Sequence, residues 1–178
     1  MYYTGKGDKG TSKLFNSKDR LLKSDLVFDV LGSLDELNSY LGLCAVEAGT
    51  KETKNIFEII KEIQNNLFIC QAHVAQSETL IPLDLLAKTE GKINKISQLI
   101  KPRNSFVISG GSRLSACLDI ARTQARKTER RAVALENKAN LKVDTSLITY
   151  LNRLSSLLYV LARLANDICE LEEDVPIY

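Results

Sequence analysis

Histidine is nearly missing from this chain: among 178 residues only His73 carries an imidazole. The four cysteines, Cys44, Cys70, Cys117 and Cys169, are far apart and form no Cys-x-x-Cys pair, so the ligand sets of a zinc site are lacking. A dominant charge is lacking too. With 24 basic and 22 acidic residues the net charge is +2, which argues against a general nucleic-acid binder or a membrane-surface protein. No apolar run approaches a membrane span, and the N-terminus shows no charged leader followed by an apolar core. The expectation is a soluble, unprocessed chain whose cysteines are buried free thiols in a reducing compartment, the cytoplasm.

Proline is scarce as well, with three in the chain, and long helical periodicities run between the breaks. Leu34, Leu37, Leu41, Cys44 and Ala48 recur at spacings of three and four, which predicts a helix over about 25–48. Its start is ambiguous: Ser33-Leu34-Asp35-Glu36 reads as a capping box, while Val27, Val30 and Leu31 extend the stripe back through Gly32. Ile56, Ile60, Ile63, Leu67, Cys70 and Val74 predict a second helix over about 51–76, and His73 is read as packing beside that stripe. A third runs over about 83–100, between Pro82 and Pro102, weakened by Gly91. Leu114, Leu118, Ala121, Ala125 and Ala132 predict a fourth over about 112–137, and Leu151, Leu154, Leu158, Leu161, Ala165 and Ile168 a fifth over about 144–170. Ser105-Phe106-Val107-Ile108-Ser109 has no partner strand and reads as a packed loop, with Phe106 assigned to the core. The fold class expected is all-α, an up-and-down five-helix bundle forming one domain over 1–178, with an arm over 1–24 and the bundle over 25–171.

Glycine is concentrated where the helices are not. In Tyr3-Thr4-Gly5-Lys6-Gly7-Asp8-Lys9-Gly10-Thr11-Ser12, three glycines free the backbone to present N–H groups to an anion, and Lys6, Lys9, Thr11 and Ser12 add donors. This is not a Walker A loop, because Gly10 is followed by Thr11-Ser12 instead of Lys and a hydroxyl residue. The GxGxxG spacing of Gly5, Gly7 and Gly10 is met, but too few residues precede it for the first strand of a dinucleotide-binding unit. A flexible arm and a phosphate cradle both remain open.

Two polar stripes flank apolar ones. Ser115, Asp119, Arg122, Arg126 and Glu129 fall within about an 80° sector, with Arg130 at its edge and Arg131 beyond. A solvated face of ion pairs or an anion site both fit. Asn152, Ser156, Tyr159, Arg163 and Asn166 form a weakly charged stripe, which suits a ligand, a neighbouring subunit or a buried hydrogen-bond network. Asp35 could serve the capping turn or reach a guanidinium on another helix.

In order, Tyr3-Thr4 with Gly7-Asp8-Lys9-Gly10, Gly32-Ser33-Leu34-Asp35-Glu36-Leu37-Asn38-Ser39, Phe106 with Gly110-Gly111-Ser112, Ala121-Arg122-Thr123 with Arg126-Lys127-Thr128-Glu129-Arg130-Arg131, and Leu151-Asn152-Arg153-Leu154-Ser155 resemble the landmarks of PduO-type ATP:cob(I)alamin adenosyltransferases. The resemblance spans nearly the whole chain. It implies a homotrimer of five-helix bundles with active sites between subunits, where Co(I) of a reduced corrinoid attacks the 5′ carbon of ATP and triphosphate leaves. It further implies ATP, cob(I)alamin and Mg²⁺ as reactants, an electron-donating reductase as partner, and no nucleic acid or membrane. By this similarity Thr4, Gly5, Lys6, Gly7, Ser12, Lys13 and Lys23 hold the triphosphate, and Arg126, Lys127, Thr128, Glu129, Arg130 and Asn152 are nucleotide-binding positions. Arg122 and Asp35 match a salt-bridged pair across the subunit boundary, and Phe106 an aromatic residue beneath the corrin. The arm departs from the family pattern: Thr4-Gly5-Lys6-Gly7 shifts the basic residue by one, and Asn16-Ser17-Lys18 replaces a glycine turn. Two other readings are a helical RNA or acidic-partner module, with steeply salt-dependent binding, and a structural trimerising bundle that fails to assemble without Arg126.

Overall fold

The computed structural model describes residues 2–102, 105–138 and 144–178. Five helices make up its body: α1 (Leu26–Glu47), α2 (Lys54–Val74), α3 (Leu85–Ser97), α4 (Arg113–Lys138) and α5 (Thr145–Ile168). The all-α expectation holds, with each helix within about three residues of the range read from periodicity.

The start of α1 is decided by packing. Asp25 is the N-cap, its carboxylate accepting from the Val27 N–H at 3.1 Å. The capping box at Ser33 is therefore not used, and Ser33 is buried inside the helix next to Gly32. An internal glycine costs about 1 kcal/mol. Burying Val27 and Val30 contributes about 1.5–3 kcal/mol each, so continuing the helix through Gly32 wins. Ser112 caps α4, its hydroxyl accepting from the Ser115 N–H at 3.1 Å, and Asp144 caps α5 through the Ser146 N–H at 2.9 Å.

Neighbours in space do not follow chain order. α1 packs on α2 and α4, α4 on α5, and α5 on α3, giving the sequence α2–α1–α4–α5–α3 across the bundle. Side-chain bonds fix the directions. Arg131 reaches the Asp29 carbonyl while Arg113 pairs with Glu47, so α1 and α4 are antiparallel. Asn152 pairs with Glu129 and Arg163 with Asp119, so α4 and α5 are antiparallel as well. The shared core is aliphatic, built from residues such as Leu34, Leu41, Ile60, Leu67, Leu118, Leu151 and Leu158.

One element escapes a periodicity argument. Thr11–Ser12 (β1) and Leu21–Leu22 (β2) pair antiparallel, Thr11 opposite Leu22 and Ser12 opposite Leu21. Two-residue strands carry too few alternations to be seen in sequence. Leu14 is buried, and the Phe15 N–H donates to the Ala75 carbonyl at 3.1 Å, so this hairpin ties the arm to the end of α2. Among the described residues no helix is long and apolar enough to cross a membrane.

The thiols divide. Cys44 and Cys70 are buried as expected, Cys117 is half-buried, and Cys169 is exposed because it is the C-cap of α5, where the apolar stripe has ended. Burial pushes the Cys70 thiol from 9.0 up to about 12, and burial, reinforced by Cys117, does the same to Cys44. The folded state thus keeps protons that the unfolded chain loses above pH 9.0. Stability is present in full below that value and falls by up to about 1.4 kcal/mol per pH unit for each thiol as pH climbs toward 12. Urea titrations at pH 8 and pH 10.5 should show a smaller loss in Cys70→Ala than in the parent protein; equal losses would refute the assignment.

Candidate functional site

The loop over 105–111 leads into α4 and covers one side of the α4–α5 pair. Gly111 sits at φ 89°, and a Cβ there would meet the Asn166 side chain at 2.6 Å, so glycine is required twice over. Asn166 holds this corner, accepting from the Ser112 N–H at 2.9 Å and donating to the Gly110 carbonyl at 3.0 Å. Phe106 does not enter the core. It is 79% exposed and, with Ser109, Asp119, Arg122, Tyr159 and Arg163, lines an open cavity of about 580 Å³. The core assignment of Phe106 is corrected because the segment is fastened through its backbone and glycines, which leaves the ring free to point outward.

Beneath the cavity lies a buried ionic cluster. Arg163, 1% exposed, places its NH2 nitrogen 2.6 Å from Asp119 Oδ2 and its Nε 2.6 Å from Glu173 Oε1. Its guanidinium also stands 5.0 Å from the Tyr159 ring centre. The second Asp119 oxygen accepts from Arg122 Nε at 3.0 Å. One carboxylate thus orients two guanidiniums, one buried and one at the cavity wall. The polar stripe of α5 resolves accordingly: Arg163 and Asn166 are a buried network at its C-terminal end, whereas Asn152 is only half-buried and Ser156 is exposed.

Below the cavity the basic residues of α4 sort by partner. Arg126 and Arg130 are exposed, and among the described residues neither guanidinium faces a carboxylate; Arg130 donates only to the Arg126 carbonyl, at 3.2 Å. Lys127 instead pairs with Glu36 at 3.1 Å. Arg131 donates to the Asp29 carbonyl and to the Ser33 hydroxyl, which ties α4 to α1. Glu129 accepts from the Asn152 amide at 2.9 Å, and Asn152 in turn accepts from Arg153 at 2.7 Å. Thr128 needs correction as a ligand contact. It is fully buried, and its hydroxyl donates to the Gln124 carbonyl at 2.9 Å and the Ser33 carbonyl at 3.2 Å, so it packs α4 on α1.

In the arm, Gly5 and Gly10 take φ of 66° and 76° and close two tight turns. The Lys23 ammonium lies over Gly7, where a Cβ would meet it at 3.1 Å. Thr4, Lys6 and Lys13 are exposed, and Ser12 sits half-buried on β1. The residue that composes this loop is one that sequence reading passed over. Arg20 donates to the Lys6 carbonyl at 2.7 Å and to the Thr11 carbonyl and hydroxyl at 2.8 and 2.9 Å. Nothing in a local pattern marks an arginine that folds back on backbone carbonyls nine and fourteen residues away.

Not every candidate meets within one chain. The arm joins α1 at Asp25, near the end of α1 that receives Arg131, yet among the described residues no hydrogen bond links it to Arg126 or Arg130. Asp35 is exposed and lines a different hollow, of about 560 Å³, with Phe28, Leu31, Phe68 and Gln71 between α1 and α2. It does not reach Arg122, whose partner is Asp119.

A family model described as cobalamin adenosyltransferase matches residues 2–165. The chain is 37% identical over 175 residues to the corrinoid adenosyltransferase of Mycobacterium leprae, covering 92% of this chain and 90% of that protein. It is 34% identical over 168 residues to the corrinoid adenosyltransferase PduO of Salmonella typhimurium, covering 90% of this chain but 48% of the relative, so it spans about half the length of that protein. Among solved structures, a variant PduO-type ATP:corrinoid adenosyltransferase from Lactobacillus reuteri, complexed with cobalamin and ATP, superposes with a TM-score of 0.92 at 27% identity, covering 99% of this chain and 96% of that one.

Proposed function

Since the chain belongs to the cobalamin adenosyltransferase family, we propose that it is a corrinoid adenosyltransferase that moves the 5′-deoxyadenosyl group of ATP to the Co(I) centre of a reduced corrinoid and releases triphosphate. The observation that carries this reading is the exposed Phe106 ring in an open cavity walled by Arg122, one helical turn before Arg126, whose exposed guanidinium has no carboxylate partner among the described residues.

The residue types suit the chemistry. Co(I) is itself the nucleophile, so no activated Ser, Cys or His is needed, and a chain with one histidine suffices. The leaving triphosphate gathers negative charge as the C–O bond breaks, and Arg126, Arg130 and the arm's N–H groups and lysines are the donors that would meet it. Phe106 supplies an apolar wall beneath the corrin that excludes an axial ligand, which makes the reduction of cobalt easier. Glu129 and Asn152, which are hydrogen-bonded to each other, would orient the nucleoside in this reading.

In this reading the active site is completed by a neighbouring copy in a homotrimer, where Asp35 of one protomer pairs with Arg122 of the next, and the arm closes over the nucleotide. Among the described residues no group of three His, Cys, Asp or Glu side chains could hold a metal. In this reading Mg²⁺ enters with ATP as its counter-ion, and no step is assigned to it. A cytoplasmic location, an electron-donating reductase as partner, and a single domain made of the 1–24 arm and the 25–171 bundle belong to the same proposal. Anaerobic incubation with ATP, Mg²⁺ and chemically reduced cobalamin should produce the absorption spectrum of a Co–C bond, and omission of ATP should abolish it. An unchanged spectrum with ATP present would overturn the assignment.

A further inference from the structure

We propose that Glu173, in the C-terminal tail, is a positioning residue for the Phe106 cavity: its buried carboxylate fastens the loop that presents Phe106 and, through Arg163 and Asp119, sets the orientation of Arg122. The kinetic half of this proposal rests on the adenosyltransferase reading; the structural half does not.

The tail leaves α5 at Cys169, reverses at Glu170 with φ 54°, and is pinned as the Leu171 N–H donates to the Asn166 carbonyl at 3.0 Å. It is not held by apolar burial, because Leu171, Val175, Ile177 and Tyr178 are all exposed. What goes inside is a charge. The Glu173 side chain is 3% exposed, its Oε1 lying 2.6 Å from Arg163 Nε and accepting from Asn166 Nδ2 at 2.8 Å. One residue further on, the Asp174 carbonyl accepts from the Ile108 N–H at 2.8 Å.

Two lines of force run from this point. Asn166 is also the residue that grips Gly110 and Ser112, so Glu173 and Asp174 together fasten the stretch that follows Phe106, at Ile108 and at Gly110 to Ser112. In the other direction, Arg163 and Arg122 share Asp119. Among the described residues, Asp119 and Glu173 are the carboxylates paired with Arg163, and Asp119 is also paired with Arg122. With Glu173 neutral, Arg163 loses one of these counter-charges and draws Asp119 away from Arg122.

The chain contains no tryptophan, so Phe106→Trp installs a single fluorescent indole on the loop. In that background Glu173→Gln, truncation after Leu171 and the exposed control Glu172→Gln are compared by time-resolved anisotropy without any substrate. Glu173→Gln and the truncation should enlarge the fast-decaying component severalfold, and Glu172→Gln should leave it unchanged. With Phe106 restored, Glu173→Gln should lower kcat for adenosyl transfer about tenfold or more, because small displacements at a reacting centre are costly, while KM for ATP stays the same. An indole as immobile in Glu173→Gln as in its parent overturns the proposal. Failure of both altered tails to fold also overturns it, in favour of a purely stabilising role. If no protein, parent included, transfers adenosyl while the anisotropy still responds, the positioning stands and the activity assigned to the site fails.

Discussion

Phe106→Ala should bind ATP as the parent does, unfold at the same temperature, and lose about two orders of magnitude in turnover. The first two expectations follow from exposure. A ring 79% open to solvent contributes little to folding, so its removal stays within about 0.5 kcal/mol. The third follows from area. An aromatic side chain presents roughly 200 Å²; if about half of it lies against the corrin, the lost contact at about 25 cal/mol per Å² is about 2.5 kcal/mol. That is close to a hundredfold in rate where the contact is made only in the reactive complex. Turnover with chemically reduced cobalamin, nucleotide binding by calorimetry and thermal unfolding are the three measurements. Unchanged turnover would remove the ring from the mechanism.

Arg126→Ala is the second large effect, a loss of about 2–4 kcal/mol in transition-state stabilisation, the size seen for removal of one electrostatic donor from a water-excluded site. Its guanidinium has no carboxylate partner among the described residues, so no buried charge is orphaned and the fold is unaffected. Lys127 makes the useful contrast. Its pair with Glu36 is about one-third open on both sides, so Lys127→Ala disturbs at most about 1 kcal/mol of packing electrostatics. Ratios of kcat/KM for the two variants, taken alongside oligomeric state by light scattering, separate the readings. Assembled but inactive Arg126→Ala protein supports the enzyme, whereas failure to assemble supports a structural bundle. Binding of RNA with a steep salt slope and no dependence on ATP would favour a nucleic-acid module.

How much of this was legible in advance varies by element. The five helices were plain because burial repeats every three or four residues, as in Ile56, Ile60, Ile63 and Leu67. The beginning of α1 was not, since Asp25 and Ser33 are both competent caps and only the burial of Val27 and Val30 chooses between them. By spacing, the basic face of α4 fitted ion pairs and an anion site alike, and only the structure leaves Arg126 and Arg130 without a carboxylate partner among the described residues. Arg131 and Lys127 looked the same by spacing, and their partners, Asp29, Ser33 and Glu36, come from α1. Thr128 fell among the nucleotide-binding positions of the family motif, yet it faces inward. Glu173 gave no signal at all, being one acid in a short acidic tail.

Local order in the polypeptide is written residue by residue: 3.6-residue periodicity, helix caps, turn glycines and the inventory of charged groups follow from backbone sterics and side-chain type, and they sufficed for five helices and a basic face. Which polar side chain is covered and which stays open depends on the neighbour that packs against it, and that neighbour is set by the α2–α1–α4–α5–α3 arrangement of segments far apart in the chain. Hence Asp119, Arg163, Asn166 and Glu173 close into a buried cluster while Phe106 and Arg126 remain at the surface, a partition made by long-range packing and the cost of leaving a buried charge unpaired.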